Sequence, residues 1–191
     1  MKKTLRTFVA VEIDRQIRAR AAELIELLRG STADVKWVET HNLHLTMKFL
    51  GDVHEQELAQ VCRAVQRGAA EVNPFELEIC GAGAFPNAAR PRTVWLGAGA
   101  GSDQMIVLHD AVEATLAKLG YREEHRQFQT HLTIGRVRGG GPGIIELGKL
   151  LQHHVGFLAG RMSVNKVTVF SSTLTSDGPV YDTIGTASLA Q

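Results

Sequence analysis

The sequence predicts an α+β protein with mainly antiparallel sheet, flanking helices and two similar lobes. One observation is that strand and helix patterns are interspersed, yet several strands follow each other through short connections. This arrangement favours antiparallel pairing over a doubly wound parallel sheet. The other is a four-residue motif that occurs twice, 87 residues apart. Because each copy lies in a predicted strand that follows a predicted helix, the repeat indicates two similar lobes.

Length and composition bound the class of protein. The chain has 191 residues, 44% hydrophobic residues and a formal net charge of +1, which fits a single two-lobed domain over residues 1–191. The near-zero charge argues against bulk electrostatic binding to nucleic acid or membranes. Two cysteines without a CxxC pair argue against a disulfide framework. Since no leader and no membrane-length apolar run is present, we expect a cytoplasmic protein without membrane contact.

The first half of the chain predicts three strands and two helices. An apolar run over residues 7–13 is typical of a buried strand, and Asp14 can then cap a helix that ends near Gly30. A short strand is predicted over residues 35–38. Residues 41–50 alternate strictly, which places Leu43, Leu45, Met47 and Phe49 on an apolar face and His44, Thr46 and Lys48 on a polar face. After Gly51, apolar residues recur at helical spacing from Leu58 to Ala69.

The second half predicts five further strands, two helices and three irregular segments. Residues 75–80 alternate as a strand, whereas residues 81–92 are rich in Gly, Ala, Pro and Asn and predict a loop. A strand over 93–96 and a helix over 103–119 follow. The pattern then predicts a strand over 128–135, a glycine-rich loop, a short helix through Leu151, and strands over 164–170 and 180–184 with a turn at 176–179.

The repeated motif has the pattern His-apolar-Thr-apolar. It occurs as residues 44–47 (HLTM) and 131–134 (HLTI). One copy of so short a pattern would carry little weight, but two copies in matched contexts are hard to attribute to chance. In a strand, side chains two residues apart share a face, so His44 projects with Thr46 and His131 projects with Thr133.

Two histidines and two threonines in one cleft would suit displacement at phosphorus. One imidazole can take a proton from the attacking oxygen while the other gives a proton to the leaving oxygen. The threonine hydroxyls can donate hydrogen bonds to the non-bridging oxygens. This chemistry requires no metal. A structural alternative is that each histidine is a solvated strand residue and each threonine an ordinary strand former.

These motifs and their flanks resemble the two-histidine (2H) phosphoesterase superfamily. Within it, the chain is most similar to the RNA 2′,3′-cyclic phosphodiesterases, also called 2′-5′ RNA ligases. The similarity extends over nearly the whole chain. It includes residues 6–13 (RTFVAVEI), 35–38 (VKWV), 44–51 (HLTMKFLG), 83–87 (GAFPN), 91–97 (PRTVWLG), 131–136 (HLTIGR), 172–174 and 178–181.

The resemblance implies two pseudo-symmetric α+β lobes around a central cleft that carries both motifs. It also implies hydrolysis of RNA 2′,3′-cyclic phosphate ends to 2′-phosphate, with His44 as proton donor and His131 as proton acceptor. Thr46 and Thr133 would hold the phosphate oxygens. Reversible, ATP-independent joining of 2′-5′ RNA ends is implied as well. We therefore expect RNA ends as partners, tRNA fragments among them, with no cofactor, no metal site and no ATP requirement, in a monomer. The sequence leaves open which histidine is the acid and which the base.

Two further positions and one departure accompany the resemblance. Arg136 matches a family arginine that contacts substrate, and Phe49 could stack on a nucleobase. Strict alternation, however, places Phe49 in the core, on the face opposite His44. It likewise places Arg136 on the face opposite His131, unless the strand contains a bulge or ends near Gly135. The family often has proline directly before the second motif, where this chain has Thr130. The departure casts doubt on the local turn but not on the histidines.

Two other functions fit the same residues. The site could act on another cyclic phosphate, such as an ADP-ribose cyclic phosphate or a small cyclic nucleotide. Alternatively, the chain could be a non-catalytic module that binds RNA ends through its histidines. Turnover separates this binding module from an enzyme, and relative kcat/KM values separate the candidate substrates.

Overall fold

A computed structural model describes residues 3–124, 127–176 and 178–190. Within them the chain forms nine strands and four α-helices. The strands are β1 Thr4–Glu12, β2 Val35–Trp37, β3 His44–His54, β4 Phe75–Phe85, β5 Thr93–Ala98, β6 His131–Val137, β7 Leu158–Val164, β8 Lys166–Thr175 and β9 Gly178–Ser188. The helices are α1 Arg15–Leu28, α2 Leu58–Ala69, α3 Ser102–Ala117 and α4 Gly143–His153.

In the residues that the structure describes, the strands form two sheets in which every pairing is antiparallel, so the predicted α+β class is confirmed. One sheet has four strands in the order β3-β1-β8-β9, and the other has five in the order β2-β6-β5-β4-β7. A strand and then a helix precede each motif strand. The order is β1-α1-β2-β3 in the first case, with the short β2 inserted, and β5-α3-β6 in the second. Both sheets mix early and late strands, because β1 pairs with β8 and β4 pairs with β7. The two lobes are therefore similar, but neither is simply one half of the chain.

The helices cover the sheets with the apolar faces that the sequence predicts. The Asp14 side chain caps α1 by accepting a hydrogen bond from the Ile17 amide at 2.8 Å. Helices α1 and α4 pack on strands of the five-stranded sheet, whereas α2 packs on β8, β9 and α3. Among the described residues, no helix combines the length and the apolar character that a membrane span requires.

Several predicted boundaries are wrong. The loop expected over residues 81–92 begins later, because β4 continues through Phe85 by pairing with β5. Small residues have weak strand propensity, but cross-strand pairing outweighs it here. Strand β7 was not predicted, since an irregularity opposite Ile79 and Cys80 breaks its alternation. The strand expected from residue 128 begins at His131. The turn expected at 176–179 includes Asp177, which lies outside the described residues.

Candidate active site

Each motif strand contains a β-bulge directly after its threonine. In β3, Thr46 is opposite Ala10 and Lys48 is opposite Val9, so Met47 is the extra residue. In β6, Thr133 is opposite Trp95 and Gly135 is opposite Val94, so Ile134 is the extra residue. A bulge shifts the alternation of all later side chains by one position. The two motifs thus share a backbone irregularity as well as a sequence pattern.

The bulges decide which side chains join the histidine face. Phe49 is 59% exposed and Lys48 only 3% exposed, so the strict alternation expected through Phe49 is wrong beyond Met47. The placement of Phe49 in the core is wrong for the same reason. Arg136, the equivalent of Phe49 in the second motif, is also exposed. The anticipated bulge near Gly135 is present, one residue earlier, and it turns Arg136 toward the same face as Thr133.

Both motif histidines are oriented by the same kind of hydrogen bond. Nδ1 of His44 lies 2.7 Å from the carbonyl oxygen of Asn42, and Nδ1 of His131 lies 2.8 Å from the carbonyl oxygen of Gln129. A carbonyl can only accept, so each Nδ1 carries the hydrogen and donates it. In the neutral ring Nε2 is then an acceptor, and in the charged ring it is a donor. Each imidazole is therefore arranged to exchange a proton through Nε2.

The surroundings of the two imidazoles differ. The His44 ring lies 4.9 Å from the Phe8 ring and 5.2 Å from the Tyr181 ring, which meets it edge-on. Burial lowers the pKa of His44, and the hydrogen bond to the Asn42 carbonyl partly offsets this effect. The His131 ring meets the edge of Phe85 at 5.0 Å. Burial thus favours the neutral form of His44 in the free protein more than water would.

Side chains from both motif strands line one cavity of about 320 Å³, which we call the motif cavity. Strands β3 and β6 contact each other beside it. His131 is not among its lining residues, although it lies on the same face of β6 as Thr133. The cavity is lined by Arg6, Phe8, Lys36, Trp37, Val38, Glu39, Asn42, His44, Thr46, Phe49, Thr133, Arg136, Ser172, Leu174, Gly178, Pro179 and Tyr181.

The motif cavity combines positive charge with aromatic surface. Arg6, Lys36 and Arg136 outnumber the acidic Glu39 in the lining, and aromatic rings supply flat apolar contacts. Burial raises the pKa of Tyr181, while the charges of Arg136 and Arg6 act in the opposite direction. The Tyr181 hydroxyl therefore stays protonated near neutral pH and can donate a hydrogen bond. Together these groups suit an anionic ligand that carries an aromatic ring.

Sequence reasoning missed several residues of this cavity. Arg6, Lys36, Trp37 and Tyr181 all lie in segments that carry the family resemblance, but no spacing connected them with the histidines. Strand pairing brings Lys36 opposite Arg136 and Trp37 opposite Gly135. In the described part of the chain, no group of three or more His, Cys, Asp or Glu side chains is close enough to hold a metal ion.

Comparison with known proteins identifies the family. The family model described as LigT like Phosphoesterase matches the chain twice, over residues 11–95 and 96–181. A protein of Methanothermobacter thermautotrophicus named RNA 2′,3′-cyclic phosphodiesterase is 36% identical over 177 residues, which is 93% of this chain and 95% of the relative. One of the same name from Archaeoglobus fulgidus is 36% identical over 179 residues, with 93% and 96% covered.

A solved structure agrees with this identification. The crystal structure of the Thermus thermophilus protein TT0787 has a TM-score of 0.79 and 28% sequence identity, with 97% of this chain and 98% of that chain covered. The double match of the family model also agrees with the repeated strand-helix-motif order. The chain belongs to the LigT-like phosphoesterase family and is a hydrolase.

Proposed function

We propose that this enzyme hydrolyses RNA ends that carry a 2′,3′-cyclic phosphate and leaves a 2′-phosphate. The observation that carries the proposal is the matched orientation of two imidazoles, each with Nδ1 donating to a carbonyl two residues earlier. The names of the relatives support the same substrate. The reaction needs no metal and no ATP. RNA ends, tRNA fragments among them, are the proposed partners of a monomeric, cytoplasmic enzyme.

The proposed chemistry uses both Nε2 atoms. His131 accepts a proton from water as the water oxygen forms a bond to phosphorus, and His44 donates a proton to the 3′ oxygen as the P–O3′ bond breaks. Thr46 and Thr133 donate hydrogen bonds to the non-bridging oxygens. With an RNA 5′-hydroxyl in place of water, the same steps join two ends through a 2′-5′ linkage.

The surroundings of His44 bear on its role as proton donor. Its pKa is lowered by burial, so a larger part of the free enzyme holds His44 neutral at pH 7. An anionic phosphate bound beside the ring favours the charged form and counteracts that effect. A donor with a lowered pKa is also the stronger acid once it is protonated.

The pH dependence of a His44→Ala variant should identify the roles. With His44 removed, the residual rate depends on His131, which must be neutral to accept a proton. We expect residual kcat/KM for a cyclic-phosphate oligonucleotide to rise with pH and then level off. Steady-state rates from about pH 5 to 9 measure this. A residual rate that falls as pH rises would mean that His131 is the donor and that the roles are reversed.

Arg136 is the cationic side chain that we expect to bind the substrate phosphate or its nucleoside. Replacing Arg136 by methionine removes a charge-assisted hydrogen bond, so KM should rise about 10- to 100-fold while kcat changes less. The dependence of KM on salt should weaken too. Arg29→Met, at an exposed helix end, is the matched control. An unchanged KM in Arg136→Met would remove Arg136 from the proposed site.

The direct test of the proposed function is an assay of the purified protein with EDTA. The substrate is an oligonucleotide with a 2′,3′-cyclic phosphate end, and a 2′-phosphate product is expected. Tight binding without turnover over hours would indicate a binding module instead. A higher kcat/KM for an ADP-ribose cyclic phosphate or a small cyclic nucleotide would redirect the substrate assignment.

A further inference from the structure

The five-stranded sheet carries a second cavity, of about 700 Å³, next to the second motif. We call it the Trp95 cavity. Its described lining residues are Cys80, Gly81, Trp95, Gly97, Ala98, Ser102, Ile106, Gln127, Phe128, Gln129 and Thr130. None of these residues lines the motif cavity.

The Trp95 cavity continues the face that carries His131. Across the β5–β6 pairing, Gly97 lies opposite His131, and Trp95 lies opposite Thr133. Directly opposed residues in an antiparallel pair share a face of the sheet. The cavity wall also includes Gln129, whose carbonyl orients His131. A ligand in this cavity would therefore approach the His131 side of the reacting phosphate.

Two polar atoms of this lining have no hydrogen-bond partner within the described part of the chain. They are Nε1 of Trp95 and Oγ1 of Thr130, and both are buried. Thr130 is only 7% exposed, so its hydroxyl is poorly placed to find bulk water. A buried polar group without a partner costs about 1–3 kcal/mol. A ligand with hydrogen-bonding groups would relieve that cost once a side-chain rotation turned either atom toward the cavity.

The chemistry of the lining selects a neutral ligand. None of the described lining residues is charged, in contrast to the motif cavity with Arg6, Lys36 and Arg136. Ser102, Gln127, Gln129 and Thr130 offer hydroxyls and amides, whereas Ile106, Phe128 and Trp95 offer apolar and aromatic surface. A ribonucleoside has the same combination of hydroxyls, polar base edges and a flat ring.

Displacement at phosphorus with inversion places the entering and leaving groups on opposite sides of the phosphorus atom. Since His44 is proposed to protonate the leaving oxygen, the ribose that carries the cyclic phosphate belongs on the His44 side, at the motif cavity. The entering group then belongs on the His131 side. We propose that the Trp95 cavity binds the nucleoside whose 5′-hydroxyl attacks the cyclic phosphate when two RNA ends are joined.

This inference rests on the proposed function, and its chemistry is balanced. The 5′ oxygen forms a bond to phosphorus as the P–O3′ bond breaks. The 5′-hydroxyl proton passes to Nε2 of His131, and Nε2 of His44 gives a proton to the 3′ oxygen. The product is a 2′-5′ phosphodiester with a free 3′-hydroxyl. No further reactant is consumed.

A variant whose larger side chain fills the Trp95 cavity tests the inference by its effect on activity. Ile106→Trp places an indole in the Trp95 cavity, and Val107→Trp is the control, because Val107 is 57% exposed and does not line the cavity. Two rates are measured for each variant. One is the hydrolysis of a mononucleotide 2′,3′-cyclic phosphate, and the other is the joining of a cyclic-phosphate oligonucleotide to a 5′-hydroxyl oligonucleotide.

We expect Ile106→Trp to lower the rate of joining at least about tenfold and to leave the rate of hydrolysis within about twofold of wild type. Val107→Trp should change neither rate. Equal effects of Ile106→Trp on both rates, or no effect on joining, would overturn the inference. If the wild-type protein hydrolyses the cyclic phosphate but never joins the two oligonucleotides, the inference is overturned while the proposed function stands. Wild-type protein without hydrolysis would overturn the proposed function itself.

The two tryptophans provide a test that does not depend on turnover. The chain has two tryptophans. Each reports on ligand binding in a different cavity, because Trp95 lines the Trp95 cavity and Trp37 lines the motif cavity. On titration of the wild-type protein with adenosine, the indole N–H signal of Trp95 in ¹H–¹⁵N NMR should shift more than that of Trp37. Thr130→Val should weaken this response. A response confined to Trp37, or none with adenosine at millimolar concentration, would contradict the inference.

Discussion

Replacing His131 by alanine should lower kcat for cyclic-phosphate hydrolysis by about 10²–10⁴-fold, which is the usual contribution of a positioned acid or base. His44→Ala should cause a loss of similar size on the same substrate.

The two variants should differ on a second substrate, a nucleoside 2′-phosphate that is esterified with para-nitrophenol. There the aryl oxide leaves in place of the ribose oxygen and needs no proton. On this substrate His44→Ala should recover most of its kcat, whereas His131→Ala should stay impaired because water must still be activated.

The comparison isolates the acid because both variants are measured against both leaving groups. His153→Ala is a suitable control, since His153 lies at the end of α4 and lines neither cavity. Recovery of His131→Ala instead of His44→Ala would reverse the roles. Recovery of neither variant would indicate that both histidines only bind the phosphate.

Much of this site could be predicted because its strongest signal is local. The motif spacing places each histidine and its threonine on one strand face through the period of two alone. Asp14 and the apolar spacing from Ile17 to Leu28 predicted α1 in the same way. In these segments, local pattern and tertiary packing favour the same conformation.

The bulges could not be predicted, because a bulge depends on the partner strand. Met47 and Ile134 are both buried and look like ordinary members of an alternating pattern. Only the registers with β1 and β5 show that each is an extra residue. Strict alternation therefore misplaced Phe49 and Lys48, and it left Arg136 unresolved. Arg6 and Tyr181 were missed for a related reason, since strands distant in sequence bring them to the cavity.

Lys48 shows what the bulge does for the fold. Turned inward, its Nζ lies 2.6 Å from Oε1 of Glu113 on α3 and donates to the Arg122 carbonyl at 2.8 Å. The same Glu113 oxygen accepts from the amide of Glu124 at 2.8 Å. These contacts tie the first motif strand to the segment that leads into the second motif. Both side chains are at least nine-tenths buried. Lys48 is the nearer basic partner of the Glu113 carboxylate, since Nε2 of His109 lies 3.4 Å from Oε2.

Lys48→Met should therefore destabilise the protein by about 3–5 kcal/mol, because it leaves the Glu113 carboxylate buried without its counter-charge. Urea unfolding followed by circular dichroism measures the loss. Lys3→Met provides the control, because Lys3 forms a similarly short ion pair with Glu55, at 2.9 Å. The Lys3 and Glu55 side chains are 70% and 46% exposed. Losing this pair should therefore cost about 0–1 kcal/mol of stability. The double variant Lys48→Met/Glu113→Leu removes both charges and should recover most of the lost stability. If the double variant is no more stable than Lys48→Met, the loss comes from packing or from the Arg122 and Glu124 contacts, and the unpaired charge is not its cause.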